Sequence, residues 1–317
     1  MRTFPTSDDI TQAAQRIAPH AHHTPVLRSR SFDALTGAEL HFKCENFQRA
    51  GAFKFRGACN AVYALSDEAA RHGVVTHSAG NHGAALALAA RTRGIAAHVV
   101  VPEGTVQSKM DAIRAYGATL HLCAPNLAAR EEMCEQIRAR TGAVLVHPFA
   151  APLVIAGQGT AIRELIDESG PFDAVMTPVS GGGLIGGTAI AARERLPDVE
   201  IFAAEPEGAA DAYLSMQRGV RVTDIVPDTI CDGLRASIGA INFELLQRYS
   251  IAVLPVSDAE AIAAMRLMFE RMKIVVEPSS ATVLAAVLRH RDRFAGKRVG
   301  VIVSGGNVDL DRLPWLA

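Results

Sequence analysis

Of the chain's 32 basic residues only five are lysines, Lys43, Lys54, Lys109, Lys273 and Lys297, so any lysine chemistry has few candidates. One of them sits between two phenylalanines in Gly51-Ala52-Phe53-Lys54-Phe55-Arg56-Gly57-Ala58. A lysine dried by apolar neighbours loses part of its affinity for the proton and becomes a usable amine nucleophile and base. The competing interpretation is a surface lysine that lays its stem on apolar side chains and keeps its ammonium in water. On this fragment alone that second interpretation is the commoner outcome.

A second group of residues can hold anions. Ser180-Gly181-Gly182-Gly183-Leu184-Ile185-Gly186-Gly187 lets a backbone approach a ligand closely and leads into a helix start with free N–H groups, which suits a phosphate. The same run satisfies G-x-G-x-x-G through Gly181, Gly183 and Gly186, with Glu205 following 19 residues after Gly186. That is also the spacing of a dinucleotide fingerprint, so an NAD-dependent oxidoreductase is one function to weigh. A glycine-rich turn used only for tight packing is the third. Ser78-Ala79-Gly80-Asn81-His82-Gly83 offers backbone N–H groups, a hydroxyl, an amide and an imidazole that suit a carboxylate, or simply a helix cap. Ser304 presents a neutral hydroxyl at the end of a very apolar stretch, where it can cap a loop or face a heterocyclic nitrogen. Glu205 and Asp211 flank Ala209; two carboxylates and a carbonyl suit a hard divalent cation, although two surface acids are the plainer expectation from spacing.

These residues need a scaffold, and the pattern supplies one. Short β-branched runs at 40–43, 73–77, 97–101, 119–123, 143–147, 174–179, 200–204, 251–256 and 298–303 alternate with Ala/Leu-rich stretches. Helices are expected at 7–18, 58–65, 84–92, 108–116, 129–141, 157–168, 186–195, 258–273 and 280–290. Strands that are apolar throughout, alternating with helices, predict a doubly wound α/β protein with parallel strands. The three glycine turns follow strands, and in open α/β sheets ligands lie beyond the carboxyl ends of strands, so the turns predict one composite site.

Composition narrows the partners. The chain has 317 residues, 49% of them apolar and 21% charged, enough for a large core in about two domains. A net charge of −1 and 5% aromatics predict no nucleic-acid partner. The uncharged run 174–192 contains five glycines and Pro178 and is expected to be a buried strand, loop and helix, not a membrane span. Five scattered cysteines without a CxxC pair predict reduced thiols in a cytoplasmic protein, and no secretory signal is visible at the N-terminus.

Taken together, the motifs resemble the pyridoxal-phosphate enzymes of the tryptophan-synthase-β fold type, in particular the serine/threonine dehydratase and serine racemase group, close to its serine racemase and threo-3-hydroxyaspartate dehydratase branch. The likeness spans nearly the whole chain through KCENFQRAGAFKFRGA, SAGNHG, HPFAAPLVIAGQGT, SGGGLIGG, AAEPEGAAD, CDGLRASIG, ERMKIVVEPSSA and SGGNVD, in that order. It implies two open twisted sheets, a large domain from 1–63 and 151–317, a small mobile domain from 64–150, and a site in the cleft. It implies that Lys54 carries the cofactor as a Schiff base and later moves the α-proton. By the same resemblance Ser180, Gly181, Gly182, Gly183 and Leu184 hold the phosphate, Asn81 bonds the cofactor's 3′ oxygen, Ser304 faces the pyridine nitrogen, and Phe53, Gly233, Glu277 and Gly305 complete the cofactor contacts. Ser78, Ala79, Gly80, Asn81 and His82 are implied to hold the substrate carboxylate, with Ser78 also in the catalytic set and Arg130 and Arg235 on the substrate side. Glu205, Ala209 and Asp211 match the racemase-like branch's site for a divalent cation, Mg²⁺ first, with Ca²⁺ or Mn²⁺ as substitutes.

The implied activity is an ammonia-lyase that removes the β-hydroxyl of a small L-β-hydroxy amino acid (serine, threonine or 3-hydroxyaspartate) and releases a 2-oxo acid and ammonia, in a homodimer. A serine racemase with side elimination is the alternative, and the oxidoreductase is a remote one that leaves Lys54 and Ser304 without a role. Two departures favour elimination or an altered pocket. Ala79 stands where racemising members have a second serine, and Arg235-Ala236 stands where they have lysine and serine. Because the chain ends soon after SGGNVD, a short catabolic enzyme without an appended regulatory domain is expected.

Overall fold

The structure, a computed structural model, describes residues 4–316, so the outermost ends of the expected large domain lie outside it. Its strands are β1 (Val26–Arg28), β2 (Glu39–Cys44), β3 (Val74–Thr76), β4 (Ala97–Pro102), β5 (Thr119–Cys123), β6 (Val144–Leu145), β7 (Ala174–Pro178), β8 (Glu200–Pro206), β9 (Ala252–Val256) and β10 (Arg298–Val303). They form two sheets, β1-β2-β10-β7-β8-β9 and β5-β4-β3-β6. All neighbours pair in parallel except β1, which runs antiparallel to β2. The strands of the smaller sheet all fall between residues 74 and 145, within the expected small domain.

Helices cover both faces of each sheet, so interior strands are buried on both sides and read as continuous apolar runs. One core cluster, with Ile155, Ile162, Ile185 and Ile201, fills one face of the large sheet; another, with Phe42, Phe202, Val283 and Phe294, fills the other. The helix Lys54–Tyr63 lies between the two units. Phe55, Cys59 and Val62 join the small sheet's core with Val74, Leu86 and Val99. On its other side Gly57 meets Gly157 of the helix Pro152–Ser169, where a Cβ on either residue would overlap backbone or the Gln158 amide. The run 174–192 is strand, loop and helix, and no described helix is long and apolar enough to cross a membrane. All five cysteines are buried, and burial pushes the thiols of Cys44, Cys59, Cys134 and Cys231 up to about 12.

Several elements differ from expectation. β1 is three residues long and follows Pro25, too short for periodicity to reveal. Helices at Arg30–Thr36, Asp67–Ala70, Asp211–Arg218, Ala240–Arg248 and Arg291–Phe294 were not expected, because each is short or opens among loop-forming residues. The helix expected from Ala58 starts at Lys54, and that expected from Ala84 starts at Asn81. Polar residues that read as loop therefore occupy first turns. The expected helix 258–273 is α-helical only through Leu267, then widens into a π turn over Met268–Met272 and stops at Lys273, where φ is +60°.

Candidate active site

The glycine turns after β3 and β10 meet directly, with Asn307 Nδ2 donating to Asn81 Oδ1. The turn after β7 packs on Phe149, next to the Pro148 carbonyl that holds Lys54. Backbone stitching brings Lys54 beside the turn after β10. Phe53 N–H donates to Ser304 O at 2.9 Å, Gly306 N–H donates to Gly51 O at 2.9 Å, and Ala52 bridges Gly305. The Lys54 side chain is half-buried, lies over the Phe53 ring at 5.1 Å, and donates from Nζ to the Pro148 carbonyl at 2.9 Å. Burial lowers its pKa to about 8, and the nearby Glu277 opposes part of that fall. The snorkelling alternative is thereby displaced: this amine sits among protein groups and can shed its proton near neutrality.

Imidazoles on the small-sheet side avoid adding charge. His147 is held down to about 4 by burial and by His77 and Lys54, and its Nδ1 accepts from the Phe149 and Ala150 N–H groups at 3.3 and 3.1 Å. His82 is buried, donates from Nε2 to Val146 O at 3.1 Å, and is kept well below the usual imidazole range by burial and Lys54. His77 is lowered by burial and by Arg130.

Glu277 gathers three of the expected residues. It is 4% exposed and takes both its oxygens to Asn81 Nδ2 at 3.1 Å. A Cβ on Gly305 would meet its Oε1 at 3.0 Å, and one on Gly233 would meet it at 3.5 Å. Burial raises the Glu277 carboxyl to about 7, with the Asn81 hydrogen bond opposing and Asp232 adding to the rise. Asn81 Oδ1 in turn accepts from Asn307 Nδ2 at 2.9 Å. Ser304 is buried with its hydroxyl 2.8 Å from that of Ser280, which also accepts from Gly305 N–H and donates to Gly305 O.

The turn after β7 forms the cradle. Gly182 has φ of +90°, and the helix Gly183–Arg195 starts on it without a side-chain cap. A Cβ on Gly181 would fall 2.3 Å from the Phe149 ring, and one on Gly182 would fall 2.5 Å from Asn242 Cβ. Glycine is therefore required here by packing beneath the loop, which leaves the uncapped N–H groups for an anion. Ser180 Oγ donates to Ala236 O at 2.8 Å and accepts from Ala236 N–H at 3.0 Å, tying the cradle to the loop 231–239. Neither Phe149 nor Asn242 was expected from the sequence. Their roles arise from contacts across 32 and 61 residues of chain, and neither stands in a recognisable local pattern.

In the SAGNHG turn, Gly80 has open space where a Cβ would point, whereas Gly83 is packed on the Ser78 carbonyl. Ala79 rests against the small sheet's core. Arg130 is half-buried near His77, with Nε 3.4 Å from Asn126 O. The Arg235 guanidinium folds back on the Thr229 carbonyl of its own loop, with Nε at 3.1 Å, instead of lying free in the cleft. Lys109, on the helix Gln107–Ala115, pairs with Asp232 across the two units.

Glu205 and Asp211 are not the surface acids that spacing favoured; they are 0% and 4% exposed, and Ala209 is buried with them. Glu205 accepts from the Ala212 and Tyr213 N–H groups at 2.9 and 2.8 Å, and Asp211 accepts from Ile238 N–H at 2.7 Å. Burial raises Glu205 to about 8 and Asp211 to about 6. Among the described residues no three His, Cys, Asp or Glu side chains converge as a metal cluster. The same geometry removes the dinucleotide alternative. Glu205 is 0% exposed and so out of reach of a ribose, and Gly186 is packed on Leu245 and Asn242.

An amine of lowered pKa, an uncapped glycine cradle and a neutral serine at one strand-end cleft define a site for a phosphorylated aldehyde cofactor. The chain matches the family of pyridoxal-phosphate dependent enzymes over residues 17–305, and it belongs to that family. It is 47% identical to a beta-hydroxyaspartate dehydratase of Paracoccus denitrificans, over 98% of this chain and 99% of that one. It is 46% identical to a serine racemase of Dictyostelium discoideum, over 97% and 96% of the two chains. Among solved structures, maize serine racemase superposes with a TM-score of 0.96 at 43% identity, covering 99% of this chain and 97% of that one. The fold is thus the fold type II architecture expected from the motifs.

Proposed function

We propose that the protein is an ammonia-lyase that eliminates the β-hydroxyl of a small L-β-hydroxy amino acid, with 3-hydroxyaspartate foremost and serine or threonine behind it. The observation that carries this reading is the Lys54 amine, lowered to about 8 and placed beside Ser304. The similarity to a beta-hydroxyaspartate dehydratase sets the order of substrates. Pyridoxal phosphate, when bound, supplies the aldehyde that joins the substrate amine and the ring that stores negative charge.

The chain's own residues do the rest. Gly181 to Leu184 bind the phosphate through backbone N–H groups. Lys54 moves the α-proton. Ser304 is a neutral hydroxyl that would face the ring nitrogen without forcing a proton onto it, which would favour elimination. The SAGNHG turn holds the α-carboxylate, and Arg130, near His77, is the substrate-side cation that the family resemblance implies. Ala79 carries no exchangeable proton, which favours elimination over the racemisation named for other relatives.

The same reading takes 64–150 as the mobile small domain closing over the cleft, and Glu205, the Ala209 carbonyl and Asp211 as the seat of a divalent cation, Mg²⁺ first. Two buried carboxylates, both raised by burial and Glu205 raised further by Asp211, are the donor chemistry such an ion would relieve. A cytoplasmic homodimer completes the reading, on the family resemblance, and sedimentation of the purified chain measures the assembly.

The test is 2-oxo acid release from a panel of L- and D-β-hydroxy amino acids, with Mg²⁺ and with chelator, alongside chiral analysis of serine. Release from L-3-hydroxyaspartate, reduced by chelator and less sensitive to it in Asp211→Ala, is expected. Abundant D-serine without oxo acid would reassign the protein as a racemase. An equal response to chelator in the wild type and Asp211→Ala would remove the cation.

A further inference from the structure

Asn242 lies fully buried on the helix Ala240–Arg248, directly under the cradle. Its amide Nδ2 donates both hydrogens to carbonyls, Gly181 O at 2.5 Å and Phe149 O at 2.9 Å. Only the amide nitrogen can face two carbonyls, so the orientation of the side chain is fixed. Its Oδ1 is buried with no hydrogen-bond partner. Burying an unpaired acceptor costs stability, and a leucine of similar shape would avoid that cost while supplying neither donor.

The two carbonyls belong to different parts of the machinery. Gly181 is in the cradle after β7. Phe149 is in the stretch that leaves the small sheet after β6, one residue beyond Pro148, whose carbonyl holds the Lys54 ammonium. The Phe149 ring also fills the space beneath Gly181 and touches Gly239. Any movement of the cradle that lengthens one Asn242 hydrogen bond pulls on the other.

We propose that Asn242 is a positioning residue that ties the phosphate cradle to the 147–151 crossover, so that filling the cradle orders the backbone against which Lys54 is held. The inference rests on the cofactor reading above and adds a coupling to it.

The experiment uses the full chain freed of cofactor, with inorganic phosphate as the probe. Equilibrium dialysis gives phosphate affinity, and hydrogen exchange followed by peptide mass spectrometry reads the amides of 146–151 with and without saturating phosphate. In the wild type, phosphate slows exchange in that segment. In Asn242→Leu, phosphate binds about tenfold more weakly, as the loss of one to two net hydrogen bonds implies, and at saturation the segment gains no protection. Asn242→Ser keeps one hydroxyl donor in less bulk and gives intermediate values, which serves if the leucine variant does not fold. Phosphate affinity within twofold of wild type in both variants would overturn the proposal. So would weakened binding with full protection at saturation, because Asn242 would then shape the cradle without coupling it. A wild-type protein that binds neither phosphate nor pyridoxal phosphate would sink the cofactor reading itself, and this inference with it.

Discussion

Lys43 and Lys54 stand eleven residues apart in the sequence, and their surroundings differ completely. Lys43 is 0% exposed at the end of β2, with Nζ 2.6 Å from Thr24 O and 2.9 Å from Glu164 Oε2. Beside it Arg56, also 0% exposed, is forked between Glu45 and Glu164 at 2.6 to 2.8 Å. Every charge in that cluster has an opposite partner, and its carboxylates raise the Arg56 pKa against the pull of burial. Lys54 has a carbonyl and a phenyl face instead, with Glu277 as its nearby carboxylate. A buried cation that is fully paired is held charged and serves the frame; one left under-paired can exchange its proton and serves chemistry.

The sharpest way to break this contrast is Lys54→Ala. Elimination should fall by at least about 10³-fold while far-UV dichroism and the unfolding midpoint stay near wild type. Near-wild-type turnover would place the chemistry elsewhere. Arg56→Met should do the reverse on the other side of the comparison. It leaves Glu45 buried without its partner and should cost about 3–5 kcal/mol in urea unfolding at pH 7; a loss under about 1 kcal/mol would show the cluster to be solvated.

Glu277→Gln sharpens the same point with a smaller effect. The carboxylate draws the Lys54 pKa upward, so removing it should take that pKa below about 8. In the chain freed of cofactor, the rate of Lys54 acylation by a small acyl donor, read by peptide mass spectrometry, rises with pH as the ammonium loses its proton and flattens above the pKa. The whole curve should therefore move to lower pH in the variant; an unmoved curve would mean that Glu277 does not act on the amine. Lys109→Ala is the smallest test. Lys109 and Asp232 are 40% and 39% exposed, so their pairing across the cleft should contribute less than about 1 kcal/mol to unfolding stability. A larger loss would mean that exposed and buried ion pairs in this protein are not the different classes they are taken to be.

The parts of this arrangement legible in the sequence are those carried by local pattern. The turns at 78–83, 180–187 and 304–307 follow strands whose apolar runs are unmistakable, and the strand-end rule then joins them. Glu205 and Asp211 were legible as candidate oxygen donors but not as buried ones, because Glu205 is held by the start of the helix Asp211–Arg218 and Asp211 by the loop 231–239. Arg235 was legible as a cation, while its engagement with Thr229 depends on a loop path with no periodicity. Asn242 and Phe149 were illegible. An asparagine in INFELL and a phenylalanine in HPFAAP acquire meaning only when two distant stretches lie on either side of the glycine loop. The helix starts at Lys54 and Asn81 were misplaced because polar first turns lack the apolar spacing that marks a helix interior.

The scarcity of lysine has a consequence for selectivity. An aldehyde condenses with any unprotonated primary amine, and guanidinium groups do not compete at neutral pH. Lys43 is sealed in the frame and Lys109 and Lys297 are engaged with Asp232 and Glu200, so the described side chains leave Lys273 as the main rival to Lys54. A chain whose basic residues are almost all arginine offers few amines for a simple aldehyde to condense with. It gives a soluble aldehyde few places to be lost before it reaches the cleft, and spares the exterior from the slow adducts that sugars and keto acids leave on lysine-rich proteins.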